Sequence, residues 1–483
     1  MAPPTFLWHD YETFGTDPRR DRPAQFAAIR TDVDLNEVGE PVNILCQPAP
    51  DYLPDPASCL ITGITPQQCL QNGLPEHAFA ARIHAELSQP GTIGVGYNSI
   101  RFDDEFTRFL FWRNLIDPYG REWQNGCGRW DLLDVMRLAH ALRPDGIVWP
   151  QNEDGHTSFK LEHLSAANGL LHVSAHDALS DVRATLAVAR LLRQKQPKLF
   201  DFALGLHKKD RVAAELGLPA TQAHAQPFLH VSGMLPVQHG CLSVMWPLAN
   251  HPTNRNEIIA WDLRHDPAEL ASLSAADIRE RLFVRTADLA EGVQRLPIKN
   301  VHVNKSPMVV RNLATLSDAQ AQRWQIDKEL ALQHAATARS LPDMSAIWAE
   351  VFARPDTQTD EADVDGDLYA GFVGNNDRRK LDHLRSLPPD ELADARTGFD
   401  DVRLEELLWR YRARNFPRTL SAEETARWQA HCAERLLQGQ GGARTVDDFL
   451  AALDTLSEQM DEKGEGVLQA LQDYAETIVP ESL

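Results

Sequence analysis

Two carboxylates one position apart stand near the start of the chain, in His9-Asp10-Tyr11-Glu12-Thr13-Phe14-Gly15. An apolar run, Phe6-Leu7-Trp8, precedes them, and a segment typical of a turn, Gly15-Thr16-Asp17-Pro18, follows. This pattern predicts a strand that carries both acids to its end, with Asp10 and Glu12 on one face about 7 Å apart. Paired carboxylates are unfavourable unless they reach water or share a cation, so further acids would be needed to complete a metal site.

Two later segments offer such acids. Asp103 begins a predicted helix after a buried strand, 92–98, and a short loop, and at a helix start the ordinary role of a carboxylate is to cap the helix or favour its dipole. Asp181 lies in the first turns of a long predicted helix, 178–194, and His176 precedes that helix in a loop. Taken singly, Asp181 is typical of a solvent-facing helix acid and His176 of a surface histidine.

Four acids and a histidine together suit phosphodiester hydrolysis. Two divalent ions about 3.5–4 Å apart need several oxygen ligands and keep water in their coordination shells. A neutral histidine near the attacking water can take its proton. The spacing alone therefore makes a metal-dependent nuclease a hypothesis.

The elements around these residues predict three domains, as the 483-residue length also suggests at about 150 residues per domain. Residues 1–198 have an α/β pattern that opens with antiparallel strands at 26–33 and 42–46, and predicted helices follow at 66 onward, 79–87, 103–114, 130–142, 161–168 and 178–194. Pro197 marks the first boundary. Residues 199–352 are β-rich, and residues 353–483 are helical. The acidic run 356–367 predicts a solvated linker.

Charge and cysteine usage limit the class of protein. The net charge of −21 argues against a nucleic-acid partner only at first sight, since residues 321–483 carry 18 Lys and Arg against 32 Asp and Glu, while residues 204–320 carry 12 against 11. A basic groove outside the last third stays possible. Six scattered cysteines without a CxxC pair predict reduced, packed thiols in a cytoplasmic protein. Neither a signal peptide nor an apolar stretch of about 18 residues is present, so no membrane association is expected.

Several motifs in order resemble a known family. Asp10-x-Glu12-Thr13, the 60–65 segment Leu-Ile-Thr-Gly-Ile-Thr, Asp103 at a helix start and His176-x4-Asp181 resemble the DEDDh exonuclease superfamily. Further stretches resemble the bacterial exonuclease I family within it. They are 9–15, 21–30, 129–135, 230–234, 254–256 and 411–417. The resemblance covers nearly the whole chain, and the acidic run and the two ends match least.

The resemblance implies a 3′→5′ exonuclease that degrades single-stranded DNA processively to 5′-mononucleotides in DNA repair and recombination. It implies an RNase H-like exonuclease core, an SH3-like β-rich domain and a C-terminal helical domain. Magnesium is the implied cofactor, as two ions per site, with Mn²⁺ as a plausible substitute. The implied metal ligands are Asp10, Glu12, Asp103 and Asp181, with Asp104 as a competitor for Asp103, and His176 is the implied general base.

The resemblance also implies partners. They are single-stranded DNA and the acidic C-terminal tail of single-stranded DNA-binding protein, and the chain is expected to act as a monomer. Lys160 stands where the family pattern leads us to expect arginine, so a substrate contact there would keep its charge and lose the bidentate fork.

Other side chains are candidates for DNA contact. Thr13 and Phe14 would border the terminal nucleotide, and Phe14 could stack on a base unless it is a core residue. Arg108 could meet a phosphate or form a surface salt bridge. The arginines and aromatics of 409–416 suit a single-strand groove, or they bind acids of the same domain.

Two other functions fit the same residues. An RNA 3′ exonuclease would use the same core, and a non-catalytic single-strand DNA-binding protein would retain the site without turnover. The intact set of four acids and His176 argues against the second of these.

Overall fold

The structure is a computed structural model that describes residues 3–170, 177–220, 225–353, 363–458 and 462–479. The chain divides into two compact units. The first comprises Met1–Gly128, His172–Arg183 and Thr359–Leu483, and the second comprises Arg129–Leu171 and Ala184–Gln358. Each unit thus gathers segments that are distant in the sequence, and the predicted boundaries at 198 and 352 stay a prediction.

The strands fall in two parts of the chain, before residue 132 and between residues 228 and 310. They are β1 (Thr5–Thr13), β2 (Pro23–Thr31), β3 (Val42–Leu45), β4 (Thr92–Gly96), β5 (Gly128–Asp131), β6 (Phe228–Val231), β7 (Leu242–Asn250), β8 (Glu257–Asp262), β9 (Ile298–His302) and β10 (Met308–Val310).

Helices connect and cover the strands, and they make up most of the chain after residue 310. The α-helices are α1 (Pro56–Thr62), α2 (Pro66–Asn72), α3 (Glu76–Leu87), α4 (Asp103–Arg113), α5 (Leu132–Leu142), α6 (Leu161–Ala167), α7 (Ala178–Lys195), α8 (Pro197–Gly205), α9 (Lys209–Leu216), α10 (Ala275–Phe283), α11 (Asp318–Arg323), α12 (Lys328–Ser340), α13 (Ser345–Val351), α14 (Asn375–Ser386), α15 (Pro389–Ala393), α16 (Arg403–Asn415), α17 (Ala422–Gln438), α18 (Val446–Ser457) and α19 (Glu462–Ile478).

The first unit is built around β1, in the strand order β3-β2-β1-β4. β1 pairs antiparallel with β2, placing Asp10 opposite Ala27, and parallel with β4, placing Trp8 opposite Val95. Side chains alternate along β1, so that Leu7 and Tyr11 enter a core cluster with residues of α3 and α4. The even-numbered acids leave from the opposite face, which frees them for a site.

Local signals in the sequence set the helix ends of this unit. Thr65 and Gln68 form a reciprocal capping box at the start of α2, and Pro66 occupies its first turn, as predicted. Asp103, Asp104 and Glu105 occupy the first turn of α4, where the helix dipole favours carboxylates. The predicted α/β class of the N-terminal part is confirmed.

The second unit contains the predicted β-rich region. Its five strands form an antiparallel sheet in the order β10-β6-β7-β8-β9, in which Trp246 of β7 pairs with Trp261 of β8. Both tryptophans are buried. Among the described residues of the whole chain, no helix has the length and hydropathy that crossing a bilayer would require.

Two expectations about the elements were wrong. Trp130 lies in β5 rather than in a helix, because the Asp131 side chain accepts a hydrogen bond from the Leu133 amide (3.0 Å) and starts α5 only at Leu132. The described end of the acidic run is not a solvated linker, because Asp365 is buried in ion pairs with arginines.

Candidate metal centre

Three carboxylates of the first unit converge at the end of β1. One carboxylate oxygen from each of Asp10, Glu12 and Asp181 lies within 4.8 Å of the other two. Glu12 is buried and the other two side chains are partly buried. We call these three residues the acidic cluster. The predicted convergence of residues that are about 170 positions apart in the sequence is therefore observed.

Asp181 reaches the cluster from the start of α7. Its amide donates to the carbonyl of Asp177 (3.0 Å), and the Asp177 carboxylate accepts from the amide of Ser180 (3.2 Å), as a capping residue does. Gln25, opposite Glu12 on β2, donates to the same Asp177 carboxylate (3.4 Å). The helix start is thus tied to the strand next to β1.

Asp103 and its neighbour Asp104 are both buried, and they have different partners. The Asp103 carboxylate accepts a hydrogen bond from the Tyr11 amide (3.1 Å), between the two acids of β1. The Asp104 carboxylate accepts one from the Arg121 guanidinium (2.5 Å). Of the two competing acids, Asp103 is therefore the one that is bonded to β1 between Asp10 and Glu12.

Mutual repulsion and burial perturb the cluster strongly. Burial raises the pKa of Asp10 well above its ordinary value, and the charges of Asp103, Glu12 and Asp181 raise it further. Burial also raises the pKa of Glu12 to about 8, with added repulsion from Asp181 and Asp177. The folded chain therefore holds Asp10 and Glu12 where their ionised forms are repelled by neighbouring carboxylates.

A divalent cation fits this donor set. Magnesium takes hard oxygen ligands at about 2.0–2.1 Å, so that oxygens on opposite sides of one ion lie about 4 Å apart. The oxygen separations of the acidic cluster are compatible with that spacing. A bound cation would also supply positive charge that offsets the repulsion behind the raised pKa values of Asp10 and Glu12.

The structure describes the two residues that follow Glu12, but it does not describe the candidate general base. His176 lies outside the described residues. Thr13 is buried, and its hydroxyl donates to the carbonyl of Gly15 (2.6 Å). Phe14 is 1% exposed and packs in a core cluster with Tyr52. Its expected stacking on a base is corrected here, because the buried ring has no face available to a nucleotide.

The structure also describes the two basic candidates for DNA contact, Arg108 and Lys160. Arg108 is buried, with its Nε 2.7 Å from Glu122 and its Nη1 2.7 Å from Glu105. Its guanidinium is therefore engaged within the first unit rather than in a surface salt bridge. Lys160 belongs to the second unit and is exposed, with its Nζ 3.9 Å from Glu162. A DNA contact stays a prediction for Arg108, Lys160 and Thr13.

The arginines of α16 bind acids of the first unit. The alternative of acids in the same predicted domain holds only in part, because Asp363 and Asp365 belong to that domain whereas Asp51 lies in the predicted exonuclease domain. Arg410 and Arg435 both contact Asp363, at 2.9 and 3.0 Å. Arg414 contacts Asp51 and Asp365, at 2.7 and 2.5 Å. Arg22 completes the group through Asp365. We call this set the arginine network: Arg22, Asp51, Asp363, Asp365, Arg410, Arg414 and Arg435.

Sequence reasoning missed two groups near the acids. Asp177 borders Glu12, and its position between His176 and Asp181 was a signal that could have drawn attention to it. The partner of Asp104 is Arg121, which follows α4 in a short 3₁₀-helix and carries no motif that would indicate the contact. The six cysteines are free and buried, which confirms the prediction of reduced, packed thiols.

Three family models match successive parts of this chain. Residues 7–189 match an exonuclease model, residues 207–354 match the exonuclease I SH3-like domain, and residues 362–478 match the exonuclease I C-terminal domain. The acidic cluster lies within the first of these ranges.

Similar proteins match over nearly the full length. Exodeoxyribonuclease I of Escherichia coli is 44% identical over 98% of each chain. An exonuclease I structure from Methylocaldum szegediense is 48% identical, with a TM-score of 0.93 over 99% of this chain and 100% of that one. The structure of E. coli exonuclease I in complex with a dA16 oligonucleotide is 44% identical, with a TM-score of 0.91 over 99% of this chain and 100% of that one. The chain therefore belongs to the exonuclease I family.

Proposed function

We propose that this chain is a 3′→5′ exonuclease that degrades single-stranded DNA processively to 5′-mononucleotides. The acidic cluster carries this proposal, because its three carboxylates converge within 4.8 Å of one another inside the range that matches an exonuclease. The dA16 complex of the E. coli relative supports single-stranded DNA as the substrate.

Divalent metal ions are part of the proposal, as two Mg²⁺ ions with Mn²⁺ as a substitute. Asp10, Glu12, Asp103 and Asp181 would hold them, because the charges of the other three acids all raise the pKa of Asp10, which a cation would reverse. When bound, the ions would supply positive charge to the phosphodiester and acidify the attacking water. His176 would accept the proton from that water, a role that follows from the family resemblance.

Backbone contacts support the orientation of the proposed metal ligands. The Tyr11 amide holds the Asp103 carboxylate, and the pairing of β1 with β2 and β4 fixes the direction of Asp10 and Glu12. Backbone positioning of this kind keeps the ligands in place before metal and substrate arrive, so little reorganisation is needed during reaction. Thr13, Arg108 and Lys160 are proposed contacts to the DNA strand.

The domain organisation and cellular role complete the proposal. We propose an exonuclease domain at 1–198, an SH3-like domain at 199–352 and a helical domain at 353–483. Single-stranded DNA-binding protein is the proposed protein partner through its acidic tail. One similar structure, 42% identical with a TM-score of 0.89, is of SSB/exonuclease I in complex with the inhibitor CFAM. We propose a cytoplasmic monomer that acts in DNA repair and recombination.

A labelled-strand assay tests the function. A single-stranded DNA labelled at its 5′ end should shorten progressively from its 3′ end in Mg²⁺, and 5′-mononucleotides should accumulate. Asp10→Asn should abolish this activity, while Asp382→Asn, which removes an exposed carboxylate of the same unit, should retain it.

Matched strands test the substrate. Faster decay of an RNA strand than of the DNA strand would identify an RNA exonuclease instead. Tight binding of the DNA strand without turnover, in either Mg²⁺ or Mn²⁺, would identify a non-catalytic binding protein.

A further inference from the structure

The first turn of α4 places two adjacent carboxylates beside β1, and only Asp103 bonds to the Tyr11 amide (3.1 Å). Successive residues on a helix point about 100° apart, so Asp104 leaves the helix in another direction. There it meets the Arg121 guanidinium at 2.5 Å, and both side chains are at most 1% exposed. Asp103 and Asp104 therefore bind two different partners, the Tyr11 amide and the Arg121 guanidinium.

The Arg121 side chain is closely packed against β4 and β1. A Cβ atom added at Gly94 of β4 would lie 3.3 Å from Arg121 Nη1 and 3.4 Å from His9 Nε2. Any side chain at Gly94 would therefore press on both groups. Among the described residues, Arg121 Nε and Nη1 have no hydrogen-bond partner, so the hydrogen bonding of this guanidinium is concentrated on Asp104.

The electrostatics agree with this geometry. Burial alone would lower the pKa of Arg121, but Asp104 and Glu122 raise it above its ordinary value. Burial and the nearby Arg121 charge lower the pKa of His9 to about 4, and His9 precedes Asp10 in β1. Arg121 therefore keeps its positive charge next to Asp104.

We propose that Arg121 is a positioning residue of the nuclease, which binds Asp104 and so fixes the start of α4 with Asp103 directed at the metal site. Arg121 touches neither proposed metal ion nor substrate in this role. Without Arg121, the first turn of α4 would lose the ion pair that fixes its direction, so Asp103 would shift away from the Tyr11 amide. The inference rests on the proposed ligand set and names a residue outside it.

Helix α4 supplies its own control. Its last residue, Arg113, forms a buried ion pair with Glu76 (2.8 Å), with side-chain exposures of 1% and 6%. Arg121→Met and Arg113→Met each remove one buried arginine that pairs with a carboxylate, at opposite ends of the element. Both variants should lower the thermal midpoint, and only the first should affect the metal site.

Two measurements separate positioning from mere stability. Binding of Mn²⁺ to the metal-free protein, followed by electron paramagnetic resonance, should weaken in Arg121→Met by about 10–100-fold, the range typical for residues that orient metal ligands. The kcat on single-stranded DNA at saturating metal should fall while KM for DNA stays unchanged. Arg113→Met should match the wild type in Mn²⁺ affinity and kcat.

Two further variants keep the test decisive if Arg121→Met folds poorly. Arg121→Lys keeps the charge and loses the planar fork, so it should give an intermediate loss of Mn²⁺ affinity. The double variant Arg121→Met/Asp104→Asn removes both buried charges and should regain thermal stability without regaining kcat. Recovery of kcat together with stability in the double variant would overturn the positioning role.

The Mn²⁺ affinities of the two arginine variants can overturn the proposal. A wild-type affinity in Arg121→Met, or an equal loss of Mn²⁺ affinity in Arg113→Met, would do so. Asp10→Asn in the same assays distinguishes this failure from failure of the ligand set. If Asp10→Asn loses Mn²⁺ binding and Arg121→Met binds normally, the positioning role is rejected and the ligand set is retained. If both variants bind Mn²⁺ normally, the ligand set is rejected as well.

Discussion

The first unit contains two sets of buried or partly buried carboxylates that share residue types and differ in their surroundings. The acidic cluster brings Asp10, Glu12 and Asp181 together, and burial and repulsion raise the pKa of Asp10 and Glu12. In the arginine network, burial alone would raise the pKa of Asp51 and Asp365, but Arg414 and the other arginines together outweigh it and hold both values well below their ordinary range. The shifts have opposite directions because neighbouring carboxylates repel Asp10 and Glu12, whereas arginines attract Asp51 and Asp365.

The comparison shows how buried acids can be interpreted. A buried carboxylate that is surrounded by arginines has its charge balanced when the chain folds, so it serves structure. A buried carboxylate that is surrounded by carboxylates stores unfavourable energy that a cation from solution can relieve, so it serves binding. Net charge, spacing and residue type do not separate these cases, whereas the partners do.

Asp10→Asn should have the largest effect on function. The kcat for hydrolysis of single-stranded DNA should fall by about 10³-fold or more, because metal-held charge contributes several kcal/mol at about 1.4 kcal/mol per tenfold. The thermal midpoint in EDTA at pH 8 should rise or stay constant, since the substitution removes a repelled charge. A lower midpoint with retained activity would place Asp10 on the structural side of the comparison.

Asp365→Asn should have the opposite result. Removing one partner of a buried ion pair leaves its arginines uncompensated, so the free energy of unfolding should fall by about 3–5 kcal/mol in urea titrations. The protein that stays folded should keep its Mn²⁺ affinity. The matched control is Asp382→Asn, in which the side chain is 67% exposed beside Arg385, and its cost should be below about 1 kcal/mol.

Magnesium should stabilise the protein only through the acidic cluster. At a Mg²⁺ concentration of about 100 times its Kd, the free energy of unfolding should rise by about 2.7 kcal/mol. The increase should vanish in Asp10→Asn and persist in Asp365→Asn, measured as the shift of the thermal midpoint between EDTA and Mg²⁺. An equal Mg²⁺ effect in Asp10→Asn would show that the ion binds elsewhere.

The sequence predicted more of the acidic cluster than of the arginine network. Alternation along β1 and the position of Asp181 in the first turn of α7 are local patterns, so the sequence indicated which side chains share one face. The contacts of Asp365 with Arg22 and Arg414 join positions 343 and 49 residues apart, and no local pattern encodes them. The same reason explains why the acidic run was interpreted as solvated and why the sequence left open whether Phe14 contacts DNA or packs in the core.

The dependence of stability on pH should also distinguish the two sets. Glu12 has a folded-state pKa of about 8 in the metal-free protein, above its unfolded value of about 4.3, so the folded state binds more protons between these values. Stability in EDTA should therefore fall as the pH rises from about 5 to 8, by at most about 1.4 kcal/mol per pH unit for this group. Glu12→Gln should remove that contribution.

The difference between wild type and Glu12→Gln isolates this effect from other titrating groups. His9 acts in the opposite direction, because its lowered pKa of about 4 makes stability rise with pH below about 6.5, and it is present in both proteins. Asp51 and Asp365 have depressed pKa values, so their contribution is complete above about pH 4 and is lost only below it. Urea titrations from pH 3 to 8 should thus show Asp365→Asn differing most from wild type above pH 4, and Glu12→Gln gaining steadily on wild type as the pH rises from about 5 to 8. Saturating Mg²⁺ should abolish the wild type's loss of stability at high pH, since the bound ion supplies the charge that the arginines already supply in the network.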